Sequence, residues 1–420
     1  MLNCTNIIQQ DKCGSYMIYI FMGGIYPKEK EKLIFQKAKG KLSFAANRHQ
    51  WAMIDGLEEN LGLPLSIINE YFVPYFPRYS DLFIHKYYWK HKNDVSDVNV
   101  SFINLRGIRN VGQARNSYKE LKKLLNRNKQ EKVTVFVYTM RFSQMRAVYR
   151  LKNEGYQFHA CLIVPDVPSV LARYGNRRDL YSRISSSYNL KAVEKYTKAM
   201  DSFVLLSEPM KELIQIGTRP YCIVDGLFSE FEESVPIDTK QTEKRIVYTG
   251  SLHREYGICE LIEAFKNLEG EDYRLYIAGS GNAVDYVMNS SAKDNRIQYV
   301  GLLEAEEVKK LQLSATVLVN PRSKEGIDAK YSFPSKTIEY MLRERPVLMN
   351  RLPGMDPEYE NYIFTPERCG VSDFTHAIGY ICNLTNAERS EIAENARKYV
   401  VENKNHIVQM RKVLDMIRER

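Results

Sequence analysis

A chain of 420 residues and 48.9 kDa is too long for one ordinary hydrophobic core, so two domains are expected. Its 44% hydrophobic and 26% charged content is that of a soluble globular protein, and no apolar run approaches the roughly 20 residues of a membrane span. The net charge of +9 favours an anionic partner, whether nucleic acid, phosphorylated small molecule or acidic membrane surface.

Strand-like apolar runs alternate with helical patterns, which predicts parallel sheets with crossover helices. In the first half, strands are expected at Tyr16–Met22, Val100–Ile103, Val133–Tyr138, Ala160–Val164 and Ser202–Leu206, with helices such as Ala114–Arg127 and Leu190–Met200 between them. The polar, acidic stretch SEFEESVPIDTKQTEK (229–244) reads as a linker. A second series follows: strands at 245–250, 273–279, 297–301, 315–321 and 346–349, mostly ending in Gly or Pro, with helices in CELIEAFKNL and EAEEVKKLQLSA. The tail from Asn386 is helical and charged. The expected division is therefore an N-terminal Rossmann-like domain over 1–228, a linker over 229–244 and a second Rossmann-like domain over 245–404. A last helix near 405–420 is free to pack back on the first domain. The fold class is α/β, and in such sheets ligands bind beyond the carboxyl ends of the strands. With two such domains, the cleft between them is the expected site.

Seven scattered cysteines, never in a CxxC pair, suit reduced thiols, and the seven histidines form no HxxxH, so neither a metal nor another cofactor is expected. No basic start leads into an apolar stretch and a cleavage site, so a cytoplasmic location is expected. No zinc finger, RRM signature or heptad-linked basic region is present, and nucleic acid is not an expected partner.

Chemistry concentrates at the strand ends of the second series. In YTGSLHREYG, Gly250 and Ser251 follow a strand directly, letting backbone approach an anion that Arg254 could also reach. IAGSG brings Gly279 to a second glycine-rich exit, and VNPR delivers Arg322 to the same edge. FPSK opens a helix with Ser335 as N-cap and Lys336 beside it. Glu339 lies one turn further, on the flank of the stripe formed by Ile338, Met341 and Leu342. An acceptor-only carboxylate there suits the paired hydroxyls of a ribose. It equally suits an i,i+3 ion pair with Lys336 on a solvated face.

The stretch from Arg245 to Glu360 resembles the nucleotide-sugar domain of the family-4 (group 1) retaining glycosyltransferases of the GT-B fold. The motifs that carry this are YTGSLHREYGICELIEAF, YRLYIAGSG, IQYVGLL, NPRSKEG, YSFPSKTIEYMLRERPVLM and LPGMDPEY. The run NPR…FPSK…EY is similar to the branch that builds bacterial capsule and exopolysaccharide. FMGGIYP, SFAANRHQWAMIDGL, CLIVPDVPSVL and FVLLSEPM resemble that branch's acceptor-domain motifs.

The resemblance implies transfer of a sugar from a nucleotide-diphosphate sugar, foremost a UDP-sugar, to a glycan or lipid-linked oligosaccharide. Glu339 would bind the donor ribose. Arg322 and Lys336 would neutralise the diphosphate, with Gly250, Ser251 and Ser335 nearby, and the loop carrying Leu302 and Leu303 would hold the base. Gly23 and Gly24 match the glycine loop over the reacting sugar, and Asp166 sits where many relatives place a histidine. The family pairs two glutamates, yet its usual spacing puts the first at Tyr331, whereas the nearest candidate, Glu325, lies 14 residues before Glu339. The arginine and lysine usual near the first C-terminal strand are replaced by Ser251 and Tyr256. The rival readings are a nucleotide-sugar 2-epimerase of the same fold and a partner subunit that binds donor without catalysis.

HKYYWKHK (85–92) interleaves rings with cations, and PKEKEKLIFQKAKGKLSF (27–44) adds lysines around Leu33, Ile34 and Phe35. Such stretches suit an anionic membrane surface, here the inner leaflet, or a solvated loop.

Overall fold

The computed structural model describes residues 9–10, 16–39, 42, 44–93, 95–167, 191–229, 243–324, 327–331, 333, 335–368 and 370–419. The chain divides into two compact units, Met1–Ser229 with His406–Arg420, and Glu230–Asn405.

The first unit is built on strands β1 (Gln9–Gln10), β2 (Tyr16–Gly23), β3 (Ser66–Asn69), β4 (Phe83–Ile84), β5 (Tyr87–Trp89), β6 (Asp97–Asn99), β7 (Phe102–Ile103), β8 (Lys132–Tyr138), β9 (His159–Val164), β10 (Ser202–Leu205) and β11 (Tyr221–Ile223). Its main sheet has the order β11-β10-β9-β8-β2-β3-β6-β5, with β1 antiparallel on β2. From β11 to β6 the pairing is parallel, and only β5 turns back along β6. Helices α1 (Glu31–Lys37) and α2 (Phe44–Leu61) follow β2, while α3 (Arg109–Arg127) and α4 (Phe142–Asn153) flank β8.

Strands β2, β8, β9 and β10 lie where apolar periodicity places them. The strand expected at 100–103 is a correction. Pairing with β3 stops at Asn99, whose Oδ1 accepts from Asn69 Nδ2 at 3.1 Å, and Phe102–Ile103 pairs with β4 in a separate ribbon. The Val100 N–H still donates to the Asn69 carbonyl at 3.0 Å, and beyond it the chain leaves the sheet.

The second unit contains a five-stranded, wholly parallel sheet in the order β14-β13-β12-β15-β16. Its strands are β12 (Lys244–Ser251), β13 (Tyr273–Ser280), β14 (Ile297–Gly301), β15 (Val317–Asn320) and β16 (Val347–Met349). A short α5 (Met210–Ile214) closes the first unit's series; α6 (Ile258–Lys266), α7 (Val284–Lys293), α8 (Ala305–Leu313), α9 (Lys336–Leu342), α10 (Val371–Asn383) and α11 (Asn386–Asn403) belong to the second. Each strand is an apolar run bounded by a turn residue, and its inward side chains meet helix faces in one core that includes Ile246, Leu261, Phe265, Ile277, Val319 and Ile378. Both units are Rossmann-like, and every parallel strand points its carboxyl end toward one edge of its sheet.

The last helix, α12 (His406–Arg418), packs in the first unit. Met410, Val413, Leu414 and Ile417 enter the core that holds Met53, Ile54 and Leu57 of α2. Full burial of such side chains contributes about 1.5–3 kcal/mol each.

Candidate functional site

At the carboxyl edge of the second sheet, β12 and β13 end in register, Gly250 opposite Gly279 and Ser251 opposite Ser280. The two glycines have φ of +150° and +138°, and a Cβ on Gly279 would lie 1.7 Å from the Gly250 carbonyl oxygen. A Cβ on Gly250 would lie 2.2 Å from Lys336 Cε and 2.7 Å from its Nζ. A side chain would be strained at both positions, against backbone at Gly279 and against the lysine at Gly250, and that bareness lets the lysine of α9 lie across the strand end.

Helix α9 buries Thr337, Ile338, Tyr340 and Met341. The Tyr340 hydroxyl takes the Thr249 N–H at 3.0 Å and donates to the Thr249 carbonyl at 3.2 Å, locking the helix to β12 one residue before Gly250. Burial pushes the Tyr340 phenol up, so it stays a neutral donor and acceptor. Gln312, fully buried in α8, donates from Nε2 to Glu339 Oε1 at 2.6 Å and to Thr249 Oγ1 at 2.8 Å, while its Oε1 accepts from Arg343 Nε at 2.8 Å. Three partners thus fix the orientation of the amide, and the amide fixes Glu339. The carboxylate is half-buried and forms no ion pair among the described residues, so it does not pair with Lys336.

The other expected residues fall as follows. Arg322 follows β15 and lies 5.3 Å over the Tyr256 ring, and Asn350 Nδ2 donates to its carbonyl at 3.1 Å. Tyr256, which stands where a cation is usual, therefore carries one on its face. Arg254 is turned onto the next two helices, with Nη1 3.7 Å from Cys259 Sγ and its guanidinium 5.4 Å over Tyr286. Ser335 occupies the N-cap position of α9, but its side chain makes no cap hydrogen bond. Its backbone is already helical (φ −51°, ψ −25°), which turns the exposed hydroxyl away from the first-turn N–H groups. After β14, Leu302 is 79% exposed beside half-buried Leu303, and Gly301 has open space around it. Glu325 lies outside the described residues.

The first unit presents its own loops at the carboxyl edge. Gly24 N–H donates to Gln50 Oε1 at 2.8 Å, and the Gly23 carbonyl accepts from Gln144 Nε2 and from Glu70 N–H, both at 2.9 Å. A Cβ on Gly24 would sit 1.7 Å from the Phe72 ring. Asp166 follows β9, and burial raises its carboxyl. The phenol of Tyr138, at the end of β8, feels the Asp166 charge and lies 3.1 Å from His49 Nδ1. Burial pushes the His49 imidazole down to about 4, leaving it neutral at pH 7. Among the described residues, no three His, Cys, Asp or Glu side chains are grouped to hold a metal ion.

The sequence 85–92 is not a surface motif throughout. Trp89 is buried edge-on to Trp51, and the Tyr87 hydroxyl bonds that of Tyr71. His91 is buried between Asp97 Oδ2 and Glu58 Oε1, each 2.7 Å away. As an edge strand, β5 alternates sides, so His85, Tyr88 and the lysines are the exposed members of the stretch. In 27–44, Ile34 is buried, whereas Leu33 and Phe35 are exposed.

Comparison with known proteins bears on the second unit first. Residues 243–383 match the family profile described as glycosyl transferases group 1. They form a group 1 glycosyltransferase domain. Among solved structures, the chain is similar to sucrose-phosphate synthase from Thermosynechococcus elongatus (12% identity, 96% of this chain and 98% of that chain, TM-score 0.63). It is similar also to the lipopolysaccharide outer core galactosyltransferase WaaB (13% identity, 96% and 99%, TM-score 0.61) and to S. aureus TarM in complex with UDP (12% identity, 96% and 100%, TM-score 0.56). No curated protein matches the sequence. These likenesses establish the GT-B fold.

In the glycosyltransferase domain, the residues that sequence reading missed are Thr249, Gln312 and Tyr340, which hold Glu339 and α9 in place. One signal was available. In EAEEVKKLQLSA, Gln312 occupies the i+4 position of the stripe Val308, Leu311, Ala315, where an apolar residue belongs. A buried amide on an apolar stripe demands partners. His49 and Gln50 carry no such mark, because their partners come from other segments of the chain.

Proposed function

We propose that this glycosyltransferase moves a sugar, with retention, from a UDP-sugar to a glycan or lipid-linked oligosaccharide acceptor in capsule or exopolysaccharide synthesis. The second unit binds the donor and the first binds the acceptor. The observation that carries the reading is the strand-end cluster of Gly250, Lys336 and Glu339, with a bare backbone turn, a cation laid across it and a carboxylate held by Gln312.

In this reading, Lys336 and Arg322 offset the charge that develops on the departing diphosphate, and the Gly250–Ser251 turn offers its backbone to the same oxygens. Glu339 accepts from the ribose hydroxyls through the oxygen that Gln312 leaves open, and the Leu302–Leu303 loop lies along the base. The bond from the anomeric carbon to the phosphate oxygen breaks as the acceptor oxygen bonds on the same face. The acceptor's proton ends on the released diphosphate. Gly23, Gly24 and Asp166 border the sugar being moved. No metal is assigned a part. Leu33 and Phe35 among lysines support contact with the anionic inner face of the membrane, while no described helix is long and apolar enough to cross one.

The test is a ligand screen by thermal shift or saturation-transfer NMR against UDP-, GDP- and dTDP-sugars with EDTA present. Binding of a UDP-sugar that Glu339→Ala weakens supports the reading. Binding of none of them, with or without added divalent metal, rejects it. Flotation with anionic liposomes at low salt checks the membrane contact, which fails if the protein stays with the soluble fraction.

A further inference from the structure

The first unit holds an arginine whose hydrogen-bonding capacity is unspent. Arg141 is the N-cap residue of α4, with extended backbone (φ −90°, ψ 132°) and no side-chain cap hydrogen bond. Its guanidinium lies 3.9 Å over the Phe72 ring, and Nη1 is buried with no hydrogen-bond partner. Among the described residues, none accepts a hydrogen bond from any of its five N–H groups. Arg141 as a whole is partly buried, but a guanidinium nitrogen removed from water in this state is expensive unless something else arrives to accept from it.

The surroundings carry an excess of positive charge. Arg109, buried at the start of α3 and stacked 3.7 Å over Tyr75, donates to the Val73 carbonyl at 2.8 Å and to Asn104 Oδ1 at 3.2 Å. The one acid among them, Glu70, is fully buried and spends its oxygens on Ser117 Oγ at 2.6 Å and Ser143 Oγ at 2.5 Å. Burial raises the Glu70 carboxyl against the pull of both arginines, which weakens it further as a counter-charge. Burial also lowers Arg141, to about 10, so it remains a cation at neutral pH.

The place is set by the glycine loop. Phe72, the ring under Arg141, is the ring that a Cβ on Gly24 would strike, and Gln144 in the first turn of α4 donates to the Gly23 carbonyl. Guanidinium, ring and glycine are therefore stacked in sequence at the carboxyl edge of the sheet, beside a helix start whose first N–H groups lack a side-chain cap. A planar fork of donors next to a helix N-terminus matches a tetrahedral oxyanion.

We propose that Arg141 and the start of α4 form a phosphoryl-binding subsite in the first unit, and that the acceptor is therefore a phosphorylated one. The second clause rests on the reading of the first unit as the acceptor-binding unit. A sugar phosphate and a lipid-linked diphosphate present the same chemistry to it.

The experiment is calorimetric titration of the full chain with inorganic phosphate, alone and with saturating UDP, for wild type, Arg141→Gln, Arg141→Lys, Glu70→Gln and Lys336→Ala. Wild type is expected to bind phosphate in both conditions. Arg141→Gln should weaken it at least roughly tenfold, the scale of one charge-assisted hydrogen bond. Arg141→Lys keeps the charge beside Glu70 but loses the fork, so it should fold normally and still bind phosphate more weakly. Glu70→Gln should bind at least as well as wild type, and UDP affinity should not change in the Arg141 variants.

The proposal is overturned if wild type binds no phosphate, or if Lys336→Ala abolishes the binding while Arg141→Gln does not. It is overturned also if Arg141→Gln only lowers the melting temperature, and Glu70→Gln restores it, with phosphate affinity unaltered. Failure of UDP to bind would count against the donor reading and leave the phosphate titration without UDP to judge Arg141. Competition with glucose 6-phosphate assigns the sugar-phosphate source, and competition with farnesyl diphosphate assigns the lipid source. Competition by neither overturns the assignment to the acceptor.

Discussion

Lys336 lies so close over Gly250 that a single methyl group at position 250 would fall 2.2 Å from the lysine Cε. Position 250 has φ +150° as well, so an L side chain there is both strained and obstructed. Gly250→Ala is expected to cost about 1–3 kcal/mol of stability in the second unit and to displace Lys336. If Lys336 acts through that position, UDP affinity in Gly250→Ala and in Gly250→Ala/Lys336→Ala should be the same. Additive losses in the double variant would show that the two residues act separately.

Glu339 and Gln312 should separate by what each loss does. Glu339→Ala removes a half-buried carboxylate outside the apolar stripe, and is expected to abolish or greatly weaken transfer with little change in melting temperature. Gln312→Ala removes the buried amide that Glu339, Thr249 Oγ1 and Arg343 Nε share, so it should cost about 1–3 kcal/mol and weaken donor binding as well. Thermal melts beside donor titrations check both. A stable, fully active Gln312→Ala would show that Glu339 needs no such support.

The buried ion pair around His91 makes stability depend on pH. Burial alone would lower its imidazole, but Asp97 and Glu58 on its two nitrogens outweigh that and hold it at about 9, against 6.5 for the free group. The folded state thus keeps a proton that the unfolded chain gives up. The resulting stabilisation is complete below about pH 6.5, falls as pH rises, and is gone above about 9. A shift of that size corresponds to roughly 3 kcal/mol. Denaturant midpoints measured between pH 6 and 9.5 should decline in wild type, and His91→Gln should flatten that slope while lowering stability at pH 6. An equal slope in the variant would exclude His91 as its source.

The closing helix should matter to one unit alone. Leu414→Ala is expected to destabilise the first unit by about 2–5 kcal/mol. Deletion of residues 406–420 uncovers the α2 face around Met53, Ile54 and Leu57 and should unfold that unit or cause it to aggregate. Hydrogen exchange resolved by peptide should show faster exchange in α2 and β2, with β12 and β13 unchanged. Faster exchange throughout would mean that the two units melt as one.

Much of the sheet was legible because its strands are local features. VYTG, YIAG and VLVNP each pair an apolar run with a turn residue, and the second unit's strands begin and end within a residue or two of that pattern. Ser66–Asn69 escaped notice because two isoleucines make too short a run, and Val100–Ile103 was misplaced because pairing with β3 ends at Asn99 while Phe102–Ile103 joins β4, a partner set by tertiary structure. HKYYWKHK looked uniform as a string, yet the pleat of β5 sends Trp89 inward, and His91 beyond it is held by Asp97, six residues on, and by Glu58, 33 residues back. In the site, the type of chemistry at Gly250, Lys336 and Glu339 could be read from residue order, while the orientation of Glu339 could not. It is fixed by Gln312, 27 residues earlier, and no local pattern states that a buried amide in one helix will point at a carboxylate in another.

The placement of α12 in the first unit has a consequence for synthesis on the ribosome. The second unit is encoded between the two parts of the first, so the first unit's core stays uncovered along α2 until all of the second has emerged. Domains generally fold in the order they are made. Here the order is reversed: the strands of the second unit can close around their own helices while the earlier unit still waits for Met410, Val413 and Leu414. During that interval the uncovered α2 face is the surface on which chaperones would act, and a slow codon run before His406 would prolong its exposure.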